Sequence, residues 1–250
     1  SSWAPRASRA KRGAGRGRSL ATKLPLIPDL FPDPESADES GVVCIGGPLS
    51  VPVLVTAYYS GIFPWPHPGL PLLWFSPTER GVLEFKNLHV PRSLARSRKK
   101  LNLRFTLNQA FGEVMRGCAK QPRRDATGTW ITPEMLKGYK ELHEAGYAHS
   151  LEAWEGDTLI GGIYGVFVAG VFSGESMFGL KTDVSKLCLV RLVEYLETLG
   201  LEWIDIQMVT SVTGLLGGKE VKRKAYLKKI AQAHTRFEKN EIVAPSSASF

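Results

Sequence analysis

Residues Ala148 to Ser173 carry three strands' worth of apolar alternation broken by two tight turns, and this run constrains the fold of the 250-residue chain more than any other. Ala148 to Trp154 alternates, Glu155-Gly156-Asp157 turns, Thr158 to Val168 continues as a strand, and Ala169-Gly170 turns again into Val171 to Ser173. Val184 to Leu199 is then amphipathic at helical spacing and closed by Gly200, and Trp203 to Met208 has the pattern of a buried strand. An antiparallel sheet, a helix and a further strand make the class α+β.

Upstream the apolar runs are shorter. Gly46-Gly47-Pro48 ends one of them, and Ser50 is placed to cap a helix over Val51 to Ser60, with Leu54 and Tyr58 on one side. Gly61 to Pro66 reads as irregular, since Pro64, Pro66, Pro68 and Pro71 each disfavour a helical predecessor; its aromatics sit on a rigid loop and can line a site. Leu73 to Pro77 and Gly81 to Phe85 look like two short strands around a turn. Pro91-Arg92-Ser93 opens a basic helix ending near Lys100, Leu101 to Leu107 is strand-like, and Asn108 caps a helix through Cys118. Thr132-Pro133-Glu134 starts a helix that Gly146 closes.

The net charge of +8 comes from 32 basic and 24 acidic residues, but its distribution says more than its size. Seven of the basic groups (Arg6, Arg9, Lys11, Arg12, Arg16, Arg18 and Lys23) precede the first acid, Asp29, which leaves 25 basic against 24 acidic in the rest. Overall charge is therefore no argument for nucleic acid, and only local clusters can be. The acid-free residues 1–24, rich in Ser, Ala, Arg and Gly, have the composition of an organellar transit peptide or a disordered basic arm. The longest apolar stretch, Leu159 to Phe172, is broken by four glycines and is shorter than the roughly 20 residues a bilayer helix needs. Cys44, Cys118 and Cys188 lie far apart without CxxC spacing, which fits a reducing compartment and suggests neither a disulfide framework nor a zinc site.

Most candidate chemistry reduces to ordinary structure. His143 and His149 are separated by Gly146 and cannot share a helix face, Ser176 lacks the second glycine of a nucleophile elbow, and Gly161, Gly162, Gly165 and Gly170 lack the GK[ST] of a phosphate loop. Packing or bulge glycines are the simpler reading. Two features are stronger. Arg92, Arg96, Lys99 and Lys100 fall largely on one side of a helix, where they can meet a phosphate backbone; Lys219, Lys222, Arg223, Lys224, Lys228 and Lys229 add a second basic run. In Trp203-Ile204-Asp205-Ile206-Gln207, alternation puts Asp205 and Gln207 on one face of an otherwise apolar strand, where buried polar groups need partners, as a structural network or as an active site.

Seven segments occur in one colinear order over roughly residues 41–230: Ala57-Tyr58-Tyr59-Ser60-Gly61-Ile62-Phe63-Pro64-Trp65, Trp74-Phe75-Ser76-Pro77, Gly128-Thr129-Trp130-Ile131-Thr132, His149-Ser150-Leu151-Glu152, Gly161-Gly162-Ile163-Tyr164-Gly165, Gly174-Glu175-Ser176-Met177-Phe178 and Ile204-Asp205-Ile206-Gln207. Together they closely resemble the leucyl/phenylalanyl-tRNA–protein transferase family. The resemblance implies a small N-terminal α/β domain (29–90) behind the basic head (1–28), then an acetyltransferase-like (GNAT-like) domain (91–235) with a mixed, mostly antiparallel sheet, and a C-terminal tail (236–250).

It also implies an activity, the transfer of Leu or Phe from Leu-tRNA or Phe-tRNA to the α-amine of proteins beginning with Arg or Lys, which marks them for degradation. Carried over by motif, Asp205, Gln207 and Glu175 are the catalytic group, and Tyr58, Trp65, Trp130 and Tyr139 are the substrate-lining aromatics. Ile163, Phe172, Met177, Leu189, Leu192, Leu196 and Ile204 form the apolar pocket for the Leu or Phe side chain, and Arg92, Arg96, Lys99 and Lys100 form the tRNA-facing helix. Either Asp205 or Gln207 can receive the amine's proton in this scheme, and Glu175 binds the aminoacyl-adenosine end or the acceptor. No cofactor, metal or membrane is implied, and a monomer in the cytoplasm is the family default, with an organelle as the alternative if the head is a transit peptide. Because an apolar pocket discriminates by about 1–3 kcal/mol per methylene, Met is expected beside Leu and Phe. The chain departs from the family in Met208-Val209-Thr210-Ser211-Val212-Thr213, where an Asn/His-containing stretch is usual, and at Leu192, where an aromatic is common. A binding module of the same fold without transfer is the rival reading; an acetyl-CoA enzyme would need a pyrophosphate loop of the Q/RxxGxG/A kind, which is not found.

Overall fold

Residues 24–121 and 131–249 are described by the computed structural model. The elements in chain order are β1 (Val42–Ile45), α1 (Val51–Tyr59), β2 (Phe63–Trp65), β3 (Leu73–Phe75), β4 (Glu79–Glu84), α2 (Arg92–Lys100), β5 (Arg104–Leu107), α3 (Phe111–Ala119), α4 (Pro133–Glu144), β6 (Ala148–Glu155), β7 (Thr158–Val168), β8 (Val171–Gly179), α5 (Val184–Thr198), β9 (Trp203–Gln207), α6 (Ser211–Leu215), β10 (Lys219–Lys222), α7 (Arg223–Glu238) and β11 (Ala248–Ser249). They build a small sheet, ordered β1-β3-β2, and an eight-stranded sheet, ordered β10-β4-β9-β8-β7-β6-β5-β11.

The β6-β7-β8 meander forms as its turn residues dictate, and β8 runs on to Gly179, beyond the expected end at Ser173. A chain leaving β8 needs a crossover to return in parallel, and α5 supplies it: β8 and β9 are the parallel pair in an otherwise antiparallel sheet. Two adjacent glycines let helices close on both faces of β7. A Cβ at Gly161 would stand 2.3 Å from Val184 Cγ1 of α5, and one at Gly162 would stand 2.7 Å from Val114 Cγ2 of α3, on the other side. The main core lies between the sheet, α5 and α7, with Leu94 of α2 joining it. The second core packs α1, α3, α4 and the small sheet against the opposite face.

Several expectations need correction. Gly61 to Pro66 is not wholly irregular: Phe63–Trp65 is a strand, tolerated with Pro64 because β2 is at the edge of its sheet. Asn108 does not cap α3. It sits at φ +59° at the end of β5, its side chain accepts from the Ser150 N–H, and the cap position is Ala110. β4, although it precedes residue 90, belongs to the large sheet, between β10 and β9. The chain joins the fold before residue 28: Leu24 and Leu26 pack on the second core, and the Ile27 N–H donates to Thr56 Oγ1 at 3.0 Å. The segment after α7 is no free tail either. Ile242 is buried, the Ser246 N–H donates to the Tyr195 hydroxyl, and β11 pairs with β5 to complete the large sheet.

Candidate active site

The parallel strands β8 and β9 meet at Ser173 and Asp205, and beyond that pair they part. The side chains that follow, Glu175 and Gln207, span the gap, with Gln207 Nε2 donating to Glu175 Oε1 at 2.8 Å. A cleft of about 370 Å³ opens over this contact.

Asp205 lies beneath it, fully buried. Its Oδ1 accepts from Arg80 Nε and from the Gln207 backbone N–H, each at 2.8 Å; its Oδ2 accepts from Arg80 Nη2 (2.6 Å), the Tyr226 hydroxyl (2.8 Å) and the Ser173 hydroxyl (3.0 Å). Five donors exhaust the four or so lone-pair sites of a carboxylate, leaving nothing to offer a substrate proton. Burial pushes the carboxyl up, but the Arg80 guanidinium and the remaining hydrogen bonds outweigh it and hold Asp205 below the usual carboxylate range.

Gln207 ends β9 in the left-handed region, at φ +57°. For a residue with a long side chain this costs about 1–3 kcal/mol and persists where neighbours over-determine it. Here the Asp205 carboxylate holds its N–H, and the Met208 N–H closes a tight turn onto the Ile206 carbonyl at 2.6 Å.

Glu175 is half-buried and also accepts from the Tyr58 hydroxyl at 2.7 Å and the Tyr139 hydroxyl at 3.3 Å; the two hydroxyls touch each other. Burial pushes its carboxyl up to about 7, with the Asp205 charge adding to the rise and the Tyr58 hydrogen bond and Arg80 charge opposing it. A carboxyl poised at neutrality can both take and return a proton.

Of the expected residues, Trp65, Ile163, Met177, Leu189 and Ile204 line the cleft with Glu175 and Gln207. Tyr58 and Tyr139 do not; they are buried behind Glu175 and act on its carboxylate. Phe172, Leu192 and Leu196 also fall short of the cleft and belong to the core cluster that backs it. Trp130 lies outside the described residues. Arg92, Arg96, Lys99 and Lys100 are exposed on α2, which is docked by Leu94, by Ser97 on Asp183, and by Arg98 on Glu194. The second basic run is dispersed: Lys222 pairs with Glu79, Lys229 pairs with Glu84, and buried Arg223 donates to the carbonyls of Pro34, Ala37 and Asp38. The His149-to-Glu152 segment is structural, for Glu152 is fully buried and accepts from the Thr106 and Ser150 hydroxyls and from the backbone at the start of α3.

Sequence reasoning passed over Arg80; Phe63, from the aromatic loop, and Met208, Thr210 and Thr213, from the stretch that departs from the family, also line the cleft. For Arg80 the available signal was a lone cation leading into an apolar strand, Gly81-Val82-Leu83.

A sequence model of the family described as leucyl/phenylalanyl-tRNA protein transferase matches residues 82–231, and one for that family's N-terminal domain matches 47–78. The chain belongs to the leucyl/phenylalanyl-tRNA protein transferase family. Leucyl/phenylalanyl-tRNA–protein transferases from Tolumonas auensis and from Anaeromyxobacter sp. (strain Fw109-5) are 48% and 46% identical to it, over 81% and 82% of this chain and 87% and 88% of theirs. The two transferase family matches divide between 78 and 82, where β4 begins. Among solved structures, a GCN5-related N-acetyltransferase-like protein from Streptococcus suis aligns with a TM-score of 0.33 and 14% identity, over 68% of this chain and 64% of that one.

Proposed function

We propose that the chain moves Leu, Phe or Met from aminoacyl-tRNA to the α-amine of proteins that begin with Arg or Lys, marking them for degradation. The observation that supports this most is the Glu175–Gln207 hydrogen bond facing a cleft with one apolar wall.

The aminoacyl ester is already activated, and an α-amine with a reference pKa of about 7.7–8.0 is partly neutral near pH 7, so positioning supplies much of the rate. The amine nitrogen adds to the ester carbonyl carbon while Gln207 orients it and the Glu175 carboxylate receives its proton. The ester C–O bond then breaks, and Glu175 returns the proton to the departing ribose oxygen of the tRNA. Asp205 takes no proton; it fixes Gln207. Ile163, Met177, Leu189 and Ile204 hold the Leu or Phe side chain, Trp65 meets the terminal adenosine, and α2 meets the tRNA backbone. A substrate carried on tRNA places the protein where translation runs, in the cytoplasm, or in an organelle if residues 1–28 direct import, which fusing that segment to a reporter tests.

The experiment is transfer of labelled Phe from Phe-tRNA to an Arg-initiated peptide, run beside a Gly-initiated peptide and beside labelled acetyl-CoA. Label is expected on the Arg peptide from Phe-tRNA alone. Binding of tRNA without transfer, or transfer from acetyl-CoA, overturns the proposal.

A further inference from the structure

Beneath the cleft Arg80 joins β9, β2 with the turn before it, and α7. It sits on β4, 1% exposed, and forks onto both oxygens of Asp205. Its guanidinium carbon lies 4.4 Å from the centre of the Phe63 ring and 4.7 Å from that of Tyr226. Nη1 reaches the Gly61 carbonyl, at the turn into β2, at 3.4 Å. The next residue, Gly81, is the register partner of Gln207, and a Cβ there would be 2.8 Å from the Met208 carbonyl carbon.

We infer that Arg80 is a positioning residue for transfer: by clamping Asp205 it holds Gln207 in its left-handed conformation. The inference rests on Gln207 and Glu175 meeting the reacting amine. The fork matters as much as the charge, because two fixed N–H vectors orient the carboxylate that in turn holds the Gln207 N–H. Glu175 is faced by the Tyr58 and Tyr139 hydroxyls from α1 and α4 and by Gln207 from β9, and it feels the charges of Arg80 on β4 and Asp205 on β9. Arg80 is the cation in that set, and its removal raises the Glu175 titration.

Three variants test this. Arg80→Lys keeps a charge but not the fork, and is expected to lower kcat about tenfold or more with KM for tRNA and peptide within about threefold. Arg80→Met/Asp205→Leu exchanges the buried pair for apolar groups and so leaves neither charge unpaired, although the Tyr226 and Ser173 hydroxyls and the Gln207 N–H lose their acceptor; it is expected to fold with a lowered melting temperature and to lose transfer about a hundredfold. A ¹³C titration of the Glu175 carboxyl in Arg80→Met, or in Arg80→Gln if Arg80→Met does not fold, is expected to move upward, since the Asp205 charge that raises it stays while the opposing cation is gone. Arg80→Lys at parental kcat, a folded double variant that transfers within about threefold of the parent, or an unmoved titration overturns the inference. A parent that does not transfer overturns the proposed function instead, and the titration still judges Arg80.

Discussion

Replacing Tyr58 by Phe removes a single oxygen from behind Glu175, and its effect can be worked out from the contacts. The Tyr58 hydroxyl is buried and donates to Glu175 Oε1 at 2.7 Å. A hydrogen bond to a charged group is worth about 1.5–3 kcal/mol, and about 1.4 kcal/mol corresponds to one pK unit, so the carboxyl rises by about one to two units. Two compensations favour the lower end: Gln207 Nε2 still donates to the same oxygen at 2.8 Å, and Tyr139, released from its contact with Tyr58, can turn fully onto Oε2. Starting from about 7, the midpoint is expected near 8. Near pH 7 the ionised fraction then falls from about a half to about a tenth, a fivefold slower transfer, while near pH 9 parent and variant converge. The assay is single-turnover transfer of Phe to an Arg-initiated peptide across that range. Titration of the acceptor amine is common to both proteins and cancels in their ratio. Superimposed pH profiles for parent and Tyr58→Phe, with both proteins folded, refute the assignment of Glu175 as proton acceptor.

Three further outcomes follow from other parts of the molecule. Gly81→Ala places a methyl group 2.8 Å from the Met208 carbonyl carbon and should cost about 1–3 kcal/mol of overpacking, read as a fall in kcat of fivefold or more; full activity contradicts the tight approach of β4 to the end of β9. Arg92→Ala, Arg96→Ala and Lys99→Ala should each raise KM for tRNA but not for the peptide, and each should reduce the slope of log affinity against log salt by about 0.7–0.9 in filter binding. Burial holds His149 and His234 down near 4, so each contributes stability that is present above about pH 6.5 and lost as pH falls toward 4. Glu175 and Glu152, whose carboxyls are raised, act in the opposite sense, so the readout is a difference: His234→Phe, which keeps the stack on Tyr59, should narrow the gap between urea midpoints measured near pH 7.5 and pH 5.

What the sequence disclosed and what it hid divide along the distance between partners. The β6-β7-β8 meander and α4 are written in local signals, turn residues, alternation and a Thr132 cap that accepts from the Met135 N–H, and they form where expected. Asp205 and Gln207 stood out as polar residues in an apolar strand, yet alternation implied that they act side by side. In the structure Asp205 turns to Arg80 and to the Gln207 backbone, and the Gln207 side chain turns to Glu175. The left-handed turn that separates them leaves no mark in residue type, since nothing in Gln207 itself favours it. The basic run after Lys219 misled for the opposite reason: charge was visible, but the acids that neutralise Lys222 and Lys229 lie on β4, over 140 residues earlier.

The place of β4 between β9 and β10 has a consequence for how the protein is made. A strand near residue 80 waits for partners that begin only at residue 203, and Arg80 and Asp205 close a loop of 125 residues. The meander, whose contacts are local, can condense long before; the ring of groups beneath the cleft cannot, because loop closure of that length is costly and its reward comes last. The ring beneath the cleft thus closes late, when most of the sheet can already have formed.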